Sequence, residues 1–189
     1  RYTNAFATAP VCSPSRSCLI TGSYATTLGT QQMRSAFPIP DRIHGFPSIM
    51  RQAGYYTSNN YKTDYNTSSA DRIIAESWDE SSTTAHWRKR ASVEAGEQPF
   101  FSVFNLMTSH QSRSMVFTQA RFREEVQSKL SQGDIHDADS VPLPPYYPDT
   151  LVTRRIVSRY YDCVTVMDQQ VGEILRQLNE DGLAENTIV

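Results

Sequence analysis

Three local features of the chain predict an α/β fold. The stretch 46–59 passes from a proline-led helix signal through a glycine into a β-branched and aromatic run, the alternation of helix and strand. The apolar run "PFFSVFNL", 99–106, is led by a proline and short enough for a sheet core. From Thr150 to about Asp181, apolar residues recur every three or four positions, the period of one long helix.

The first element is "SPSRSCLITG", 13–22. Pro14 suits a first helical turn, where its missing N–H is not needed, and Gly22 suits the stop. Cys12 and Ser13 then stand at the N-terminal rim, beside the free N–H groups of that turn. In "FPSIMRQAG", 46–54, Pro47 comes early and Gly54 marks the end, and "YYTSN", 55–59, has strand character. The 99–106 strand delivers "MTSHQSR", 107–113, to a loop at its carboxyl end, where open α/β sheets bind ligands. "ARFREEVQSKL", 120–130, reads as a surface-lying helix, and the proline-rich 131–149 as an extended connection within one domain. The long helix is expected to bury Val152, Ile156, Tyr160, Val164, Met167, Val171, Ile174 and Leu178 as one stripe, with Asp149 as cap and Gly182 as stop. "NTIV", 186–189, is expected to enter another central strand.

Across 189 residues, 39% hydrophobic and 20% charged, the composition is that of an ordinary globular domain. A formal charge of −2 gives no global attraction to nucleic acid or anionic membrane, so an anion site must be local. No run approaches the roughly 20 apolar residues of a membrane span. The chain starts at Arg1 without a methionine and stops on an apolar run, and is expected to be the inside of a larger protein. Cys12, Cys18 and Cys163 are an odd set without metal-ligand spacing, which indicates neither a disulfide framework nor a zinc site. Cys18 and Cys163 fall on expected helices as core residues. Ser13 and Ser15 do not lie in a G-x-S-x-G turn, which argues against a serine hydrolase.

A free cysteine is by default a small buried hydrophobe, but "CSPSRSCLITG", Cys12 to Gly22, holds more fixed positions than that role needs. It resembles the signature of the type I sulfatases, C-x-P-S-R followed by a short spacer and L-T-G or I-T-G. The wider pattern, including 149–189, is similar to the heparan N-sulfatase branch and related bacterial sulfatases, and covers nearly all of the chain. The resemblance implies an alkaline phosphatase-like architecture with a central mixed sheet flanked by helices. Residues 1–189 would be the central part of a single catalytic domain, truncated at both ends.

In that family the cysteine is oxidised by a maturation enzyme to formylglycine, whose hydrate is a geminal diol; Cys12 is the matching position. One diol oxygen binds Ca2+ or Mg2+ and attacks sulfur, and the other hydroxyl lets the sulfate depart and restores the aldehyde. Arg16 belongs to the tag read by the maturation enzyme, and its planar fork of donors suits the diol or sulfate oxygens. Lys62, in "NNYKTDYN", stands where sulfatases carry G-K-x-H and would neutralise a sulfate oxygen in the transition state. Tyr61 replaces the glycine of that motif and Asp64 the histidine. Asp64 takes over proton abstraction, ligates the cation or contacts substrate, or else caps a turn. His110, after the 99–106 strand, matches the family histidine that donates a proton to the leaving group, a task near-neutral imidazole suits.

His44, His86 and His136 have no such support and are read as structural. The stretch 78–90 either lines a sugar subsite or forms a solvated helix. The family's aspartate ligand clusters and a second lysine have no counterpart here, so the 189-residue piece is expected to be inactive alone. The resemblance implies a sulfate ester or sulfamate of a sulfated polysaccharide or glycosaminoglycan as substrate, and a periplasmic, secreted or lysosomal location. Cleavage of phosphate diesters or phosphonate monoesters, or sulfated-glycan binding without catalysis, are the rival readings.

Overall fold

The computed structural model describes residues 3–93 and 96–189. Its residues gather into two compact units, Arg1–Asn105 and Leu106–Val189.

In the first unit, helix α1 (Cys12–Thr21) begins at the cysteine, with Pro14 in its first turn. Ser13, Ser17 and Ile20, spaced four and three residues apart, form its buried face. Each buried serine has a partner: the Ser13 hydroxyl donates to the Met33 sulfur at 3.6 Å, and the Ser17 hydroxyl meets that of Thr30 at 2.8 Å. Gly22 ends the helix at φ 66° and returns its N–H to the Cys18 carbonyl. A single turn, α2 (Ala25–Leu28), follows, and α3 (Pro47–Gln52) carries its proline at the first position as expected.

Strand β1 (Tyr56–Asn60) lies between β2 (Glu80–Ser81) and β5 (Phe100–Phe104), parallel to both. Its register runs from Tyr56 opposite Phe100 to Asn60 opposite Phe104. The α/β class holds, and the sheet this chain contributes is parallel; a separate antiparallel pair joins β3 (Ser92–Val93) to β4 (Gly96–Glu97). The buried centre of β1 is polar and is satisfied sideways. Thr57 donates its N–H and hydroxyl to the Asp79 carboxylate, and the Ser58 hydroxyl meets that of Ser102. Helix α4 (Ala70–Ser77) supplies Ile73 to a core with Ile20, Leu28, Ile39, Tyr65 and Trp78. Ile73 is fully buried, a contribution of about 1.5–3 kcal/mol from removal of its side chain from water. The 78–90 stretch is not a solvated helix: Trp78 stacks on Phe101, and buried Trp87 packs between Phe100 and Phe104.

The second unit is built on α7 (Leu151–Glu180), capped by Thr150 through the Thr153 N–H and closed at Gly182, φ 69°. Asp149 is not the cap; its carboxylate pairs with both Nε and Nη2 of Arg154. The buried face also differs from the expected stripe. Val152 and Tyr160 are exposed, whereas Arg159, Asp162, Cys163 and Val166 are buried; polar partners meet the Asp162 carboxylate and the Nη2 of Arg159, while the buried Arg159 Nε has none. Arg159 donates to the Phe117 and Thr118 carbonyls and lies over the Phe122 ring, and Asp162 accepts from Gln127 and from the backbone and ring of His136.

Residues 107–113 are not an open loop: a 3-10 turn, Met107–Ser109, leads into α5 (Gln111–Met115). Helix α6 (Gln119–Glu125) is not merely surface-lying, since Phe122, Val126 and Leu130 join Phe117, Cys163 and Val166 in the core of this unit. "NTIV" forms no strand; a 3-10 turn covers Ala184–Asn186, and Ile188 and Val189 are exposed.

Candidate functional site

Cys12 is the first residue of α1, half-buried, and Arg16 follows one turn later on the same face. The N-cap, Val11, offers no side-chain acceptor, so the first-turn N–H groups are left to whatever lies beside Cys12. The Arg16 guanidinium reaches the segment that leaves β1. Its Nε donates to the Thr63 carbonyl at 2.6 Å and its Nη2 to the Lys62 carbonyl. Burial pulls the Arg16 pKa down, while Tyr65, Asp64 and Cys12 push it up. Buried Tyr65, whose own pKa burial raises, accepts the Trp78 indole N–H at 3.0 Å and lies with its ring 6.0 Å from the Arg16 guanidinium.

The Lys62 segment is tied a second time from the sheet. Fully buried Asn59 donates to the Lys62 carbonyl and to Ser81, and accepts from the Asn105 side chain. The Lys62 Nζ stands 3.6 Å from Asp64 Oδ2. Asp64 is not a turn cap: its other oxygen takes Arg34 Nη1 at 2.6 Å. Asp64 and Asn66 both have positive φ, 50° and 59°, a region that Asp and Asn enter more easily than most residues. The Asn66 amide then bolts on the segment after α2, donating to the Thr30 and Gln32 carbonyls and accepting the Ser35 N–H.

The structure thus brings Cys12, Arg16, Lys62 and Asp64 into one neighbourhood of the first unit. Arg34, Asn59 and Asn66 are the members that sequence motifs did not mark; the two asparagines bracket "NNYKTDYN", and Arg34 has no local signal. His110 belongs to the second unit, between the 3-10 turn and α5. Its Nδ1 accepts the Ser112 N–H at 3.3 Å and lies 2.8 Å from the Ser112 hydroxyl. A ring nitrogen that accepts carries no proton, so the neutral imidazole holds its proton on Nε2.

A divalent cation of the calcium or magnesium kind needs six or more oxygen ligands. Among the described residues no group of three His, Cys, Asp or Glu is arranged to hold one. Asp64, the carboxylate at the site, has both oxygens engaged by Arg34 and Lys62. The described residues therefore do not fit such an ion by themselves. None of the helices is long and apolar enough to cross a membrane among the described residues.

A family model described as Sulfatase matches residues 1–189. An ulvan-active sulfatase of Formosa agariphila is 33% identical, over all of this chain and 36% of its own length. An N-acetylgalactosamine-6-sulfatase of Canis lupus familiaris is 25% identical, over 95% of this chain and 40% of its own. The chain spans two fifths or less of these curated relatives.

Proposed function

Because this chain belongs to the sulfatase family, we propose that the protein containing it hydrolyses sulfate esters or sulfamates of sulfated carbohydrates. The observation that carries this reading is the clamp from α1 to the Lys62 segment, through which Arg16 couples the cysteine helix to the lysine and acid. One relative is named for ulvan and another for N-acetylgalactosamine 6-sulfate, a sulfated sugar, which supports a saccharide substrate. An unbroken match over 1–189 supports both units as parts of one catalytic domain. Export to the periplasm, the medium or a lysosome is part of the same proposal.

Cys12 is the nucleophile position; formylglycine made from it by a maturation enzyme would, once hydrated, supply one hydroxyl as nucleophile toward sulfur and a second whose deprotonation expels sulfate and restores the aldehyde. Cys12 is also the position of this chain proposed to touch Ca2+ or Mg2+. The other residues act without reference to that ion. Arg16 holds the Lys62 and Thr63 carbonyls and so fixes Lys62. Lys62 presents an ammonium to the sulfate oxygen on which charge grows. Asp64 sets the position of that ammonium. His110, as the imidazolium, gives the Nε2 proton to the leaving oxygen or nitrogen, its Nδ1–H then donating to the Ser112 hydroxyl 2.8 Å away.

The test is the rate of the full-length, matured protein on an aryl sulfate and the matching aryl phosphate diester. Faster turnover of the sulfate is expected. Preference for the diester would reassign the enzyme to phosphoryl or phosphonate chemistry, and tight binding of sulfated saccharide with no turnover of either would make it a binder.

A further inference from the structure

Arg34 is placed with more care than an exposed arginine needs. Its backbone sits at φ 62°, a left-handed conformation that disfavours a long side chain. The backbone on both sides is fastened by one buried residue: the Asn66 amide binds the Gln32 carbonyl before it and the Ser35 N–H after it. The Arg34 side chain is 65% exposed, yet Nη1 reaches Asp64 Oδ1 at 2.6 Å. An ion pair so open to water adds little to stability, so folding energy does not account for the arrangement. Among the described residues the other guanidinium N–H groups of Arg34 make no hydrogen bond. Asp64 is the acid held between two cations, Lys62 and Arg34, so the trio keeps a net positive charge.

We propose that Arg34 is a specificity-determining residue that binds a second oxyanion of the saccharide, next to the sulfate bound at Lys62, with Asp64 as the positioning residue that holds both cations. The proposal rests on the sulfated-carbohydrate reading and adds to it the class of substrate: a polyanionic saccharide carrying a carboxylate or a further sulfate beside the reacting group. A planar fork with its donors free matches such an oxyanion in a way an ammonium does not. The same carboxylate touches both cations, so the two anions sit on one sugar or on adjoining sugars. Asp64 in this arrangement is committed to two cations rather than free as a proton acceptor.

The experiment measures dissociation constants of the full-length protein by titration with three probes. One is an oligosaccharide with one sulfate ester and one uronate carboxylate. The second is its carboxyl-reduced counterpart, and the third replaces the carboxylate with another sulfate on a neutral sugar. The wild type is expected to bind one or both dianions at least about tenfold more tightly than the carboxyl-reduced probe, the weight of a charge-assisted hydrogen bond. In Arg34→Ala that ratio collapses to within about twofold, and in Arg34→Lys it recovers only in part. Asp64→Asn lowers the ratio as well, and Asp64→Glu restores part of it, which a merely structural aspartate would not do. Which dianion gains identifies the carboxylate or the sulfate as the second group. A wild type that binds all three probes alike, or an Arg34→Ala variant that keeps the full ratio, would overturn the proposal. Because binding is read, absence of aryl sulfate turnover with an intact ratio would count against the sulfatase reading and leave Arg34 standing.

Discussion

Arg16 shows how one side chain ties a motif to its chemistry. Two of its donors go to successive carbonyls, Lys62 and Thr63, a geometry for which the rigid guanidinium fork is pre-organised and a flexible ammonium is not. Arg16→Met is expected to lower unfolding free energy by about 1–3 kcal/mol, since the Thr63 carbonyl loses its donor and the Lys62 carbonyl keeps only the long bond from Asn59. Arg16→Lys is expected to retain more stability yet still lose roughly 10²-fold in kcat/KM, because the Lys62 segment drifts. Denaturant titration and steady-state kinetics check the pair; equal kcat/KM for Lys and Arg would show that the clamp does not serve catalysis. The motif around Cys12 made Arg16 visible in the sequence, and the lysine position made Lys62 visible. What the sequence concealed was the use of their neighbours. Asp64 differs from the family histidine, and only the fold reveals that it faces Arg34, thirty positions earlier in the chain. Asn59 and Asn66 act through side-chain bonds to distant backbone, which no local pattern encodes.

At the scale of elements, punctuation carried the reading. Proline at 14 and 47 and glycine at 22, 54 and 182 mark ends that the structure keeps, with the three glycines at positive φ. Phase was harder. In α7 the apolar stripe from Val152 to Leu178 looked like the buried face, yet Arg159 and Asp162 occupy the interior because each finds partners there. "NTIV" has strand propensity, but a strand also needs a neighbour to pair with, and propensity is silent about that. Cys163, beside Asp162 on α7, gives this packing a pH signature. Burial, and then the Asp162 charge, raise its thiol from 9.0 to about 11. A thiol raised in the folded state contributes stability that is whole below its unfolded value and is lost as pH climbs toward the folded one. Unfolding free energy should therefore fall between about pH 9 and 11, and fall less steeply in Cys163→Ala whatever that variant's absolute stability. Identical slopes for the two proteins would mean that Cys163 does not ionise on unfolding.

For the molecule as a whole, a formal charge of −2 concealed a local cationic group of Arg16, Arg34 and Lys62 around one acid. Family membership and the α/β class were legible because they rest on a short motif and on helix and strand signals, both local in sequence. The parallel pairing of β1 with β5, forty-four positions apart, is a product of folding that composition could not announce. All of the chemistry assigned to this chain turns on one side chain at the start of α1. Mass spectrometry of the peptide spanning Cys12, taken from catalytically competent full-length protein, tests that most directly. An aldehyde in place of the thiol is the predicted result, and a competent enzyme whose Cys12 remains an unmodified thiol would contradict the account.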